Sequence, residues 1–172
     1  DLVVGFEAVL ADGNTVQFAT GPRMAVGPDL RHLFMGAEGT MGVITRATLK
    51  IFRLAAYRMY ETVVFRTLEE GLGIMHEIMQ RGLRPFLVRF YNPAEARHAL
   101  KDTTFAEWVM FLGFEGERMV AEAEFQVAKS IWEPFASRTL GPVPVEHWMD
   151  RRFDFSTVEN ILKTPGGLAE TI

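Results

Sequence analysis

Three glycines at three-residue spacing, Gly36, Gly39 and Gly42, stand in the run Gly36-Ala37-Glu38-Gly39-Thr40-Met41-Gly42-Val43-Ile44-Thr45 and lead directly into an alternating stretch that continues to Phe52. Glycine has no Cβ to hold a neighbour away and tolerates positive φ, so such a run is a place where main chain can lie directly against another group. Spacing alone favours a tight turn entering a strand. It is not the dinucleotide fingerprint, whose glycines are spaced two then three and open a helix, and no Gly-Lys-Ser/Thr follows to make a phosphate-binding P-loop.

The rest of the chain bounds what this run can serve. At 172 residues, 48% hydrophobic and 23% charged, it is large enough to bury a core as one ordinary domain or two small lobes. A net charge of −4 with no basic block speaks against nucleic-acid binding by phosphate neutralisation. With no cysteine there is no disulfide or thiolate chemistry, which fits a reducing, cytoplasmic setting. No apolar run approaches a transmembrane length. The first residues, Asp1 to Gly5, begin within a strand-like pattern, and Leu168 to Ile172 end without a polar tail. Both ends therefore read as cuts through a larger protein.

The pattern predicts two parts in an α+β arrangement. In the first, over 1–56, Val3 to Leu10 and Thr15 to Ala19 form a hairpin around Ala11-Asp12-Gly13-Asn14. Residues 20–28 form a loop, and Asp29 caps a short helix through Phe34. Val43, Thr45, Ala47, Leu49 and Ile51 alternate with Ile44, Arg46, Thr48 and Lys50 as a half-exposed strand. In the second part, over 57–172, strands are expected at Tyr60 to Phe65, Phe86 to Tyr91 and Trp108 to Phe114. Thr67-Leu68-Glu69-Glu70 is a capping box that opens a helix with Leu68, Leu72, Met75 and Met79 on its buried face, ending at Gly82. Asn92-Pro93 opens a short helix. A long helix from Glu117 should bury Val120, Ala123, Val127 and Ile131 until Pro134 stops it, and weaker helices follow over 144–153 and 156–162. Strands alternating with helices, the helices covering one face, predict an α+β sandwich.

The residues Gly21-Pro22-Arg23-Met24-Ala25-Val26-Gly27-Pro28-Asp29-Leu30, followed by Met35-Gly36-Ala37-Glu38-Gly39-Thr40-Met41-Gly42-Val43-Ile44-Thr45-Arg46-Ala47-Thr48, resemble the FAD-linked oxidases of the vanillyl-alcohol-oxidase superfamily. Within it they are most similar to the alkylglycerone-phosphate synthases of ether-lipid synthesis. The resemblance implies FAD as cofactor, lying along Glu38, Gly39, Thr40, Met41, Gly42, Val43 and Ile44 largely through the backbone. It makes residues 1–56 the end of an FAD-binding domain and 57–172 the first part of a substrate, or cap, domain with an antiparallel sheet covered by helices. It also implies a small-molecule or lipid-derived substrate and a dimeric habit. For a eukaryotic synthase, it implies a membrane-peripheral or peroxisomal location.

Arg89, in Pro85-Phe86-Leu87-Val88-Arg89-Phe90-Tyr91-Asn92, is the candidate catalytic residue. A guanidinium stays charged at any working pH and offers a planar fork of donors to a carboxylate or phosphate. Taken alone it reads equally as a strand arginine facing solvent. The synthases carry an activity-critical arginine in the matching segment, facing the flavin, whereas the 2-hydroxy-acid dehydrogenases differ there. Their second, substrate-binding arginine aligns with Glu159, whose carboxylate would repel an anionic substrate group and argues against a phosphate-bearing substrate; Arg151 and Arg152 are close enough in sequence to substitute but read as a solvated pair. The four histidines show no ligand spacing, so no metal site is expected. The implied activity is exchange of an acyl for an alkyl group on dihydroxyacetone phosphate through a flavin N5 adduct. The alternatives are hydride abstraction from a 2-hydroxy acid by FAD, and a folded module without activity of its own.

Overall fold

The computed structural model describes residues 2–18, 21, 27–136, 138–154 and 163. The chain divides into two compact units, residues 1–53 and 54–172.

In the first unit, β1 (Val3–Val9) pairs antiparallel with β2 (Thr15–Phe18) on one side and β3 (Val43–Leu49) on the other. The hairpin turn is closed by Asp12, whose carboxylate accepts from the Asn14 backbone N–H at 2.9 Å. Asp29 caps the 3-10 turn Leu30–Leu33 by accepting from the Arg31 N–H. It also holds the Arg31 guanidinium, which donates onward to the Val4 carbonyl at 2.6 Å and so ties the turn to β1. The small core is aromatic: Phe6, Phe18 and Phe34 stand with ring centroids 4.5 to 5.6 Å apart. The alternation in β3 does not produce a buried face. All seven residues are exposed, the aromatic cluster being built from β1, β2 and Phe34.

The second unit is a four-stranded antiparallel sheet, order β5-β6-β4-β7, built from β4 (Tyr57–Phe65), β5 (Leu87–Tyr91), β6 (Trp108–Gly116) and the two-residue β7 (Arg138–Thr139). Helices α1 (Leu68–Gln80), α2 (Pro93–Leu100), α3 (Arg118–Trp132) and α4 (Val143–Arg151) cover it on both faces, not the one expected. The reason lies in β6, whose residues are apolar on both sides. Met110, Leu112 and Phe114 enter the core with α1 and α3, while Val109 and Phe111 enter a second core with α2 and α4. A strand buried on both faces needs two layers of cover.

The capping box forms as expected, with Thr67 and Glu70 each accepting from the other's backbone N–H. The buried face of α1 is not the expected one, however. Gly71, Ile74 and Ile78 face the core, whereas Leu68, Leu72 and Met79 are exposed. Gly71 decides this: a Cβ there would come within 2.0 Å of the Phe90 ring, so only glycine lets the helix settle on that ring. In α3 the buried residues are Ala121, Phe125, Ala128, Ile131 and Trp132, leaving Val120, Ala123 and Val127 outside. The bulkier Phe125 and Trp132, two turns apart with rings 5.5 Å from each other, claim the seam. The loop expected over 20–28 falls largely outside the described residues, as does the helical stretch over 156–162.

Candidate functional site

The glycine run is an exposed succession of tight turns. Gly36 and Gly39 adopt φ of +80° and +83°, and Glu38 between them sits at +49°. Thr40 closes the last turn, its N–H and its hydroxyl both donating to the Ala37 carbonyl at 2.9 and 2.6 Å. A Cβ built on Gly36 or Gly39 would meet nothing within 4 Å, so the main chain there is open to an approaching group. Gly42 serves the fold instead: its Cβ would lie 2.7 Å from the Val9 carbonyl, so glycine is what lets β3 start beside the end of β1. Val43 and Ile44 open β3 with both side chains exposed. An open backbone cradle with positive-φ glycines, flanked by exposed apolar side chains, fits a flat aromatic cofactor held mainly by main chain.

Arg89 lies on β5, the edge strand of the other unit, and its side chain is exposed. It lines an open cleft of about 900 Å³ between α2 and α4 on the second face of the sheet. Its guanidinium carbon stands 4.9 Å from the centre of the Trp148 ring and 5.4 Å from that of Tyr91. Both distances are within range of a cation–π contact. Among the described residues Arg89 has no carboxylate partner. Arg97, Lys101, Arg151 and Arg152 line the same cleft, against two acids, Glu95 and Asp154. Arg151 is tied down by donating to the His147 and Ala99 carbonyls at 3.0 and 3.3 Å, and Arg152 to the Met149 carbonyl at 2.7 Å. These hydrogen bonds go to neutral acceptors, so none of them pairs the charge with an acid.

The structure thus brings Arg89 together with Arg151 and Arg152, which the sequence had as a solvated pair. Glu159 lies outside the described residues. Tyr91 and Trp148 are additions. Arg89 and Tyr91 are two apart on a strand and so share a face, a signal present in the sequence. Trp148 comes from α4, and its arrival at Arg89 is a consequence of tertiary packing. Burial pushes the Tyr91 phenol above its ordinary pKa against the opposing pull of the neighbouring Arg89, and its hydroxyl makes no well-formed hydrogen bond among the described residues. Among those residues no three His, Cys, Asp or Glu side chains gather as a metal site, and no helix is long and apolar enough to cross a membrane.

The chain superposes on an alkyldihydroxyacetonephosphate synthase with a TM-score of 0.70 at 24% identity, over 94% of this chain and 33% of that one. The chain belongs to the FAD-linked oxidase family, whose C-terminal domain matches residues 54–170. It is 35% identical to the "Uncharacterized FAD-linked oxidoreductase YgcU" of Escherichia coli O157:H7, over 72% of this chain and 26% of that protein. It is 24% identical to the alkyldihydroxyacetonephosphate synthase of Dictyostelium discoideum, over 94% and 30%. To the probable mitochondrial D-lactate dehydrogenase of Danio rerio it is 28% identical, over 75% and 27%. The chain therefore spans between about a quarter and a third of the length of these proteins. The family is FAD-linked, and FAD is the cofactor it indicates.

Proposed function

We propose that this chain is part of an FAD-dependent enzyme. In this reading residues 1–56 belong to the FAD-binding domain and residues 57–172 to the substrate domain. Glu38 to Ile44 hold FAD largely through the backbone, with Gly36 and Gly39 keeping that backbone open. Arg89 binds an anionic or carbonyl oxygen of the substrate. When bound, FAD supplies the reactive centre, and Arg89 orients the substrate and stabilises negative charge on it.

One observation carries the reading: Arg89 is an aromatic-flanked guanidinium with no carboxylate partner among the described residues, lining a cleft that holds four further cations. A guanidinium that no acid holds keeps its donor fork available to an anionic ligand. Five cations against two acids suit a phosphate-bearing substrate better than a single carboxylate. This favours a synthase-type exchange of an acyl for an alkyl group on dihydroxyacetone phosphate, in which a carboxylic acid leaves, a fatty alcohol adds and no net oxidation occurs. The second reading is oxidation of a 2-hydroxy acid, with Arg89 on the carboxylate. The likeness to D-lactate dehydrogenases supports it.

The test is an anaerobic flavin spectrum of the full-length protein mixed with a panel of 2-hydroxy acids and with an acylated dihydroxyacetone phosphate. Perturbation by the phosphate ester alone supports the synthase. Bleaching of the oxidised flavin band by a hydroxy acid supports the dehydrogenase. A spectrum unmoved by every member would contradict both.

A further inference from the structure

Two aromatic side chains flank the guanidinium on which this reading depends. Arg89 reaches the cleft from the edge strand, where a long flexible side chain has many rotamers open to it. It makes no ion pair among the described residues that would choose one. What the structure offers instead is the Tyr91 ring, two residues on along β5, and the Trp148 ring from α4. Guanidinium is planar and weakly hydrated on its faces, so it settles on aromatic rings while its edge N–H groups remain available to a ligand. The rings are themselves fixed: Tyr91 packs on Phe111 at 5.1 Å and Trp148 on Phe111 at 6.3 Å, so one core residue braces both.

Tyr91 carries a second feature. Its side chain is more than nine-tenths buried and its hydroxyl is unpartnered, yet the residue lines the cleft beside Arg89. A phenol near neutral pH carries its proton, and burial disfavours the charged form further, so the hydroxyl is a donor. A buried donor without an acceptor is costly to keep unless a ligand completes it.

We infer that Tyr91 and Trp148 form a recognition unit with Arg89: Trp148 positions the guanidinium, and the Tyr91 hydroxyl donates to the same anionic group of the substrate. This rests on Arg89 being the substrate-binding residue.

The experiment uses full-length, flavin-loaded protein and isothermal titration with inorganic phosphate and with oxalate, the simplest probes for the two candidate anions. Tyr91→Phe removes the donor and leaves the ring; it should weaken binding of the preferred probe at least fivefold with an unchanged melting temperature. Trp148→Leu should weaken it tenfold or more, while Trp148→Phe, which keeps a ring for Arg89, should stay within threefold of wild type. Arg89→Lys keeps the charge but cannot stack, and should resemble Trp148→Leu. Wild-type affinity in both Tyr91→Phe and Trp148→Leu, with Arg89→Ala abolishing binding, would overturn the unit and leave Arg89 standing. Wild-type affinity in Arg89→Ala would overturn the reading beneath it as well, as would wild-type protein that binds neither probe. Equal losses in Trp148→Phe and Trp148→Leu would overturn the positioning role, since packing alone would then explain them.

Discussion

The two units place their candidate functional residues on opposite kinds of ground. In the first, residues 38–44 sit on an exposed turn and an exposed strand, and what the backbone offers matters more than the side chains. In the second, Arg89 stands at the rim of a sheet packed on both faces, and its usefulness depends on side chains converging from β5 and α4. A cofactor recognised through main chain asks for glycines and an accessible backbone. A substrate recognised by a guanidinium asks for a rigid frame that sets where the guanidinium points.

The contrast predicts a gradient of sensitivity. Trp132→Ala, emptying a fully buried site between α3 and the sheet, should cost about 3–5 kcal/mol in a denaturant titration. A loss below about 1 kcal/mol would mean the second unit is not the rigid frame claimed here. Gly71→Ala should come next, at about 1–3 kcal/mol, because its Cβ has to displace a Phe90 ring already packed on Trp108 at 5.5 Å. If thermal melting instead shows stabilisation, helix propensity outweighs the contact and α1 is less firmly seated.

The first unit should respond to acid. The Arg31 guanidinium hydrogen-bonded to Asp29 holds its carboxyl down to about 2, from an ordinary 3.8. A depressed carboxyl stabilises the fold above its unfolded value, and that contribution is lost as pH falls from 3.8 towards about 2. Asp29→Asn should therefore remove the part of the acid sensitivity that falls in this window, as followed by near-ultraviolet circular dichroism. An unaltered acid transition would show that the pair does not hold the turn to β1. The smallest effect belongs to Val43→Thr on the exposed strand, within about 0.5 kcal/mol. A larger loss on thermal melting would mean that β3 is structurally buried.

How far the sequence foretold this varies by element. The capping box at Thr67, the Asn92 cap and the hairpin were legible because short-range chemistry decides them. Which face of α1 and α3 is buried was not. A glycine in a helix gives no apolar signal, yet Gly71 marks the contact, and Phe125 with Trp132 outweighs a run of smaller apolar residues. The second helical layer is implicit only in the doubly apolar β6, which strand alternation does not flag. Two residues of strand, as in β7, leave no periodicity to detect. Arg89 was nameable by resemblance. Trp148, Arg97 and Lys101 join it only through the packing of α4 and α2 against the sheet, and no local pattern announces that.

The central claim is a division of labour, with FAD held in the first unit and substrate held by Arg89 in the second. Turnover per bound flavin in full-length Arg89→Ala tests it most directly. We expect flavin content close to wild type and turnover per flavin lower by about 10²–10³, the loss typical of removing one charge-stabilising donor. Unchanged turnover per flavin, or loss of the flavin itself, would contradict the account.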